Sequence, residues 1–96
     1  MEELRRVLVL GAGPAQLGLL RAALRRGVVV IAVDADAAAP GFLLAHRRAL
    51  LAPDDEPAVE RLARAVGADE LASAGDERLV ALARRVSQRL GLPLAA

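Results

Sequence analysis

Val7-Leu8-Val9-Leu10-Gly11-Ala12-Gly13-Pro14-Ala15-Gln16-Leu17-Gly18, followed ten residues later by Val28-Val29-Val30-Ile31-Ala32-Val33-Asp34, is the stretch on which the fold turns. The first four residues form a short apolar run bounded by arginines and by Gly11, which predicts a buried strand. From 14 to 26 the spacing becomes helical. Leu17, Leu20 and Leu24 share one face, Arg21 and Arg25 the other, Pro14 suits a first turn and Gly27 a stop. The run 28–33 is β-branched and apolar on both sides. Only a strand covered on both faces wants that pattern, and such strands are usually parallel.

Working outward, 34–40 reads as a loop, 41–46 as one helical turn and 48–51 as a third short strand stopped by Pro53. Asp54-Asp55-Glu56-Pro57 supplies a cap and first-turn acids for a helix whose Val59, Leu62, Ala63 and Val66 form one stripe. A fourth strand is predicted at 70–73. Asp76 caps a last helix with Leu79, Leu82, Ala83, Val86 and Leu90 inward, and Pro93 stops it. Four strand–helix units, βαβαβαβα, joined by right-handed crossovers give an open three-layer α/β sandwich with a four-stranded parallel sheet, a single domain over 1–96. Such sheets bind ligands beyond the carboxyl ends of their strands. The loops 11–16, 34–40, 52–56 and 74–77 are therefore the places to look.

Composition narrows the chemistry. Among the 96 residues, 55% are hydrophobic and 26% charged, with a net charge of +1. This is the profile of a globular domain, not of a disordered chain. There is no cysteine, so disulfides, thiolate nucleophiles and cysteine-based zinc sites are excluded. All 13 basic residues are arginine. Without lysine there is no Walker A loop and no Schiff base. Phe42 is the sole aromatic, which leaves no stacking platform for single-stranded nucleic acid, and the arginine pairs 25–26, 47–48 and 84–85 sit on separate elements. No apolar run reaches the ~20 residues of a membrane-spanning helix. With acids at positions 2 and 3 where a secretory signal carries bases, the expectation is a cytoplasmic protein with neither membrane nor nucleic-acid partner. His46, with no acid partner nearby in sequence, reads as a surface residue. Asp34 and Asp36 read as a turn rather than a Mg²⁺ site, Ser73 and Ser87 lack any triad context, and no metal site is expected.

The loop 11–16 retains a chemical case. Glycines there allow positive φ and let an anion approach backbone N–H groups at a positive helix end. A dinucleotide fingerprint would place a third glycine where Gln16 stands, whereas Asp34, 23 residues after Gly11, ends the second strand where an acid grips a ribose hydroxyl. The competing reading is that the glycines only make a tight turn.

The motif resembles more than a loop. Val7 to Ala23, with Gln16-Leu17-Gly18, is similar to the N-terminal, pre-ATP-grasp domain of ATP-grasp enzymes, and the Gln-Leu-Gly looks like that of the phosphoribosylaminoimidazole carboxylase ATPase branch. Val33-Asp34-Ala35-Asp36-Ala37-Ala38-Ala39-Pro40-Gly41-Phe42, Ala72-Ser73-Ala74-Gly75-Asp76-Glu77 and the Leu90-Gly91-Leu92-Pro93 ending match further segments of that domain, so the similarity spans about 5–93.

The resemblance implies a Rossmann-like fold and a part in ligase chemistry. ATP-grasp ligases join a carboxylate to an amine or other nucleophile through an acyl-phosphate made from ATP and Mg²⁺, and biotin carboxylase is one of the type. It implies that Gly11, Gly13, Ala15, Gln16 and Leu17 contact a substrate phosphate or carboxylate, that Asp34 contacts a substrate hydroxyl, and that Asp76 or Glu77 is a substrate-binding acid. In that family ATP and Mg²⁺ are held by later domains. A lysine-free chain of this length has no place for them and is expected to be non-catalytic alone, with no cofactor of its own. Those domains, a small phosphorylated or carboxylate substrate and a second copy in a homodimer are the implied partners. Two alternatives stay open: a small module gripping NAD, FAD or an adenine nucleotide, and a ligand-free minimised scaffold.

Overall fold

The two apolar runs become the two central strands of the sheet. The computed structural model describes residues 4–94. In it β1 (Arg6–Leu10) lies parallel to β2 (Val29–Asp34), with Val7 opposite Val30 and Val9 opposite Ala32. β3 (Arg47–Leu50) adds to the outer side of β2, and β4 (Glu70–Ala72) to the other side of β1. The sheet is four-stranded and wholly parallel, in the order β3-β2-β1-β4.

Because side chains alternate across a strand, the two central strands feed two cores. Val7, Val9, Val30 and Ala32 pack with Leu20 and Ala23 of α1 (Leu17–Arg25) and with Phe42. Leu8, Leu10, Ile31 and Val33 pack with Val59 and Ala63 of α2 (Glu56–Val66) and with Leu82, Ala83 and Val86 of α3 (Glu77–Leu90). Three layers result, as the both-faces-apolar pattern of β2 requires. The chain steps from β1 through α1 to β2 and on to β3 over one face. It then returns over the opposite face through α2 to β4. Opposite directions on opposite faces share a single hand, the right-handed one that parallel crossovers adopt.

The N-terminal caps of α2 and α3 fall where the sequence places them. Asp55 accepts the Ala58 N–H at 3.2 Å, Asp76 accepts those of Arg78 and Leu79 at 2.9 and 3.4 Å, and Gly67 and Gly91 close α2 and α3 with left-handed φ. Three local expectations shift. The helix predicted over 14–26 opens with a one-turn 3₁₀ segment, Pro14–Gln16, before α1 proper. The predicted turn at 41–46 is a 3₁₀ segment, Pro40–Leu44, which leaves three α-helices rather than four. The third strand begins a residue early, because Arg47 pairs with Ile31 and the register with β2 sets its ends.

Across α2 and α3 the exposed charges interlock. Glu56 accepts from Arg85 at 2.8 Å and from Arg89 at 2.6 Å, and Glu60 accepts from Arg89 at 2.6 Å and from Arg64 at 3.2 Å. Hydrogen bonds from Arg85 and then Arg89 hold the Glu56 carboxyl below its ordinary value. Those from Arg89 and then Arg64 do the same for Glu60.

Candidate functional site

The loops that follow the four strands meet at one end of the sheet and are stitched together there. Gly11 leaves β1 with φ +95°, a conformation open to glycine, and its N–H donates to Val33 O at 2.7 Å. The next N–H, of Ala12, donates to Asp34 Oδ2 at 2.9 Å, while Asp34 Oδ1 accepts the Asp36 N–H at 2.9 Å. Asp36 in turn accepts the Ala38 N–H, so the two aspartates form successive side-chain turns, as expected from their spacing.

Gln16 turns inward. It is 4% exposed, its Nε2 donates to Ala74 O and its Oε1 accepts the Ala74 N–H at 2.9 Å. A side-chain amide that satisfies both groups of one backbone residue ties the loop after β1 to the loop after β4. Ser73 adds a second tie, its Oγ donating to Leu10 O at 2.7 Å. A third loop closes in through Gly41, whose N–H donates to Ala12 O at 2.6 Å.

These ties sort the residues singled out above. Gly11, Gln16, Asp34 and Asp76 all have partners inside the chain: a turn for Gly11, backbone N–H groups for the two aspartates, and Ala74 for Gln16. Leu17 is half-buried at the start of α1, and its N–H bonds Pro14 O. Glu77 is exposed beside Asp76 at the mouth of an open cleft of about 400 Å³ that Val80 and Arg84 also line. Gly13 and Ala15 differ from the rest. Among the described residues neither N–H has a hydrogen-bond partner. Gly13 has φ −75° and ψ −179°, extended backbone that any residue adopts, and a Cβ there would meet nothing within 4 Å.

The tight-turn reading therefore explains Gly11 and fails for Gly13. Neither local conformation nor packing inside the chain calls for a glycine at 13, and the space beside it is open. Chemically the arrangement offers two unshared N–H donors at the start of a helical segment, on a loop held rigid from three sides.

Sequence spacing did not reveal the stitching residues. Ser73 and Ala74 act on partners 63 and 58 positions away. His46, which the sequence placed at the surface, is exposed there, and its Nδ1 accepts the Val30 N–H at 2.9 Å where β3 begins. Among the described residues no group of three potential ligands could hold a metal ion, and no helix is long and apolar enough to cross a membrane.

No protein-family model matches the chain and no curated protein matches it. Solved structures do. Phosphoribosylglycinamide synthetase from Anaerococcus prevotii is similar over 95% of this chain and 23% of its own, at 27% identity and a TM-score of 0.83. N5-carboxyaminoimidazole ribonucleotide synthetase from Thermotoga maritima is similar over 90% of this chain and 23% of its own, at 17% identity and a TM-score of 0.72. The biotin carboxylase domain dimer of the Hydrogenobacter thermophilus 2-oxoglutarate carboxylase, solved with MgADP, ADP and bicarbonate, is similar over 96% of this chain and 22% of its own, at 19% identity and a TM-score of 0.74. The chain thus spans about a quarter of the length of the structures it matches. In fold and in the order of its loops, the chain is similar to the N-terminal domain of ATP-grasp enzymes.

Proposed function

We propose that this chain is the substrate-side N-terminal domain of a cytoplasmic ATP-grasp ligase, non-catalytic by itself, whose loop 11–17 seats a phosphate or carboxylate of the substrate. In the whole enzyme the reaction is ATP-dependent joining of a carboxylate to a nucleophile, with ATP and Mg²⁺ held by residues outside these 96. The reading rests on Gly13. A glycine required by neither backbone conformation nor packing, whose own N–H and that of Ala15 are unshared on a tied loop, is accounted for by the close approach of something from outside. Asp34 contributes by fixing Ala12, and Gln16 by fixing the loop against Ala74; Asp76 and Glu77 border the neighbouring cleft where a substrate hydroxyl or amine would lie. Exposed Leu43 and Leu50 support contact with further domains or a second copy.

Titration of the chain with inorganic phosphate, ribose 5-phosphate, MgADP and NAD⁺, followed by amide NMR, tests the seat. Phosphate and ribose 5-phosphate are expected to shift the Gly13 and Ala15 resonances, and MgADP and NAD⁺ to leave them in place. Gly13→Val fills the open space, so it is expected to abolish the shifts while the melting temperature stays within a few degrees. Shifts produced by NAD⁺ or MgADP instead would favour a nucleotide-binding module, and no shift with any probe would retire the site. Reading the coding sequence beyond residue 96 for a lysine- and glutamate-bearing ATP-binding domain tests the family assignment separately.

A further inference from the structure

Strands β2 and β4 each follow an α-helix, whereas β3 follows only the five-residue segment Pro40–Leu44. That segment runs like a strap along β2 and is fastened at both ends. Near the carboxyl ends of the strands the Gly41 N–H donates to Ala12 O at 2.6 Å, and the Phe42 ring is buried against the α1-side core. Near their amino ends the chain enters β3 at His46, which takes both main-chain groups of Val30. The His46 N–H donates to Val30 O at 2.9 Å, and the Val30 N–H donates to His46 Nδ1 at 2.9 Å.

The second of those bonds replaces a piece of ladder. A regular parallel pairing would bring the Leu44 carbonyl to the Val30 N–H, but Leu44 still belongs to the strap and an imidazole stands in for it. Val30 is 0% exposed, so its N–H depends on that acceptor. An imidazole accepts at Nδ1 only while it is neutral with its proton on Nε2; the imidazolium donates from both nitrogens and accepts at neither. The cations around the amino ends of the strands are Arg5 and Arg6 at β1, Arg25 and Arg26 at the end of α1, Arg47 and Arg48 on β3 and Arg64 on α2, all of fixed charge. The acids there, Glu60, Asp69 and Glu70, are engaged with Arg89, Arg6 and Arg26, and among the described residues none pairs with His46. The strap itself carries no ionisable side chain.

We infer that His46 is a proton-operated latch on the strap 40–44, closed while the imidazole is neutral and released when the ring takes up its second proton. Release follows from donor meeting donor: the protonated Nδ1 faces the Val30 N–H, the ring leaves, and the amino end of the strap loses one of its two bonds to β2. Because the strap is only five residues long, slack at His46 reaches Gly41, whose N–H holds the Ala12 carbonyl beside the glycine loop. The exposed position of His46 leaves its ring open to protons from solvent. Acidification through the imidazole range, roughly pH 8 to 5, therefore loosens the third of the loops that meet at the carboxyl ends of the strands. The inference rests on hydrogen bonds within the chain and does not depend on the anion seat at Gly13.

Amide exchange read by NMR at pH 8 and pH 5.5, each rate divided by that of an unstructured peptide at the same pH, tests the latch. Protection of the Val30 amide is expected to fall about fivefold to tenfold at the lower pH, as loss of one net hydrogen bond of ordinary strength gives, and protection of the Gly41 amide to fall with it. His46→Asn places a carboxamide oxygen where Nδ1 stands and should keep both amides protected at both pH values. His46→Ala should leave both weakly protected throughout. Ring ¹⁵N shifts of the parent at pH 8 should show the proton on Nε2. No phosphate probe enters these measurements, so failure of the Gly13 seat leaves them unchanged. Protection that does not change with pH, an equal fall in His46→Asn, a fall at Val30 without one at Gly41, or a proton on Nδ1 at pH 8 overturns the inference.

Discussion

Replacing Gly41 by alanine asks whether the loop cluster depends on backbone contact. A Cβ at 41 would lie 2.6 Å from Ala12 O and 2.6 Å from Leu20 Cδ1, well inside van der Waals contact. Neither neighbour is free to yield: Leu20 is 0% exposed, and the Ala12 carbonyl already accepts the Gly41 N–H at 2.6 Å while the Ala12 N–H is held by Asp34. Overpacking of this kind costs about 1–3 kcal/mol. Against it stands the roughly 0.4–1 kcal/mol that a glycine-to-alanine change gains by restricting the unfolded chain. The net expectation is a loss of about 1–2 kcal/mol, or roughly 5–15 °C in melting temperature for a chain of this size. Thermal unfolding followed by circular dichroism reads the loss. Gly18→Ala is the internal control, since a Cβ there meets nothing within 4 Å and the position is helical, so that variant should gain about 0.5–1 kcal/mol. The reasoning fails if Gly41→Ala melts at or above the parent temperature with native amide shifts at Ala12 and Leu20.

Gln16→Ala removes both bonds to Ala74 and leaves its backbone N–H without a partner, for a loss of about 2 kcal/mol or more in chemical denaturation; an unchanged midpoint would show that the tie carries no stability. Ser87→Ala deletes a buried hydroxyl that has no partner and improves helix propensity, so the chain should gain about 1 kcal/mol, and a fall in melting temperature would contradict this. Glu56 and Glu60 are held below their ordinary value in the folded state. Their contribution is therefore complete above the unfolded glutamate value and is lost as pH falls through the lower, folded one. Stability is expected to decline on the acid side of roughly pH 4–5, and the Glu56→Gln, Glu60→Gln double variant to show a shallower decline by equilibrium unfolding across that range.

Much of this fold is legible in the chain because its signals are local. Strand β2 declares itself in the six-residue apolar run 28–33, and Asp55 and Asp76 cap the helices they immediately precede. Where the reading slipped, the deciding contact was distant. β3 shifted by one residue because β2 sets its register, and the single helical turn read at 41–46 is a 3₁₀ segment at Pro40–Leu44, where Gly41 lies against Ala12. The site shows the same division. The glycine loop was visible as a motif, yet nothing in its spacing separates Gly11, needed for its φ of +95°, from Gly13, which neither angle nor packing requires.

The sequence alone therefore determined the four strands and the three α-helices, the two apolar faces of the central strands and the caps at Asp55 and Asp76, since each depends on periodicity or on neighbours within one turn. Tertiary structure decided the strand order, the inward turn of Gln16 onto Ala74 and the engagement of Asp34 with Ala12. Those features join residues some 20 to 60 positions apart, and which of many chemically equal partners a side chain meets is settled only when the layers close.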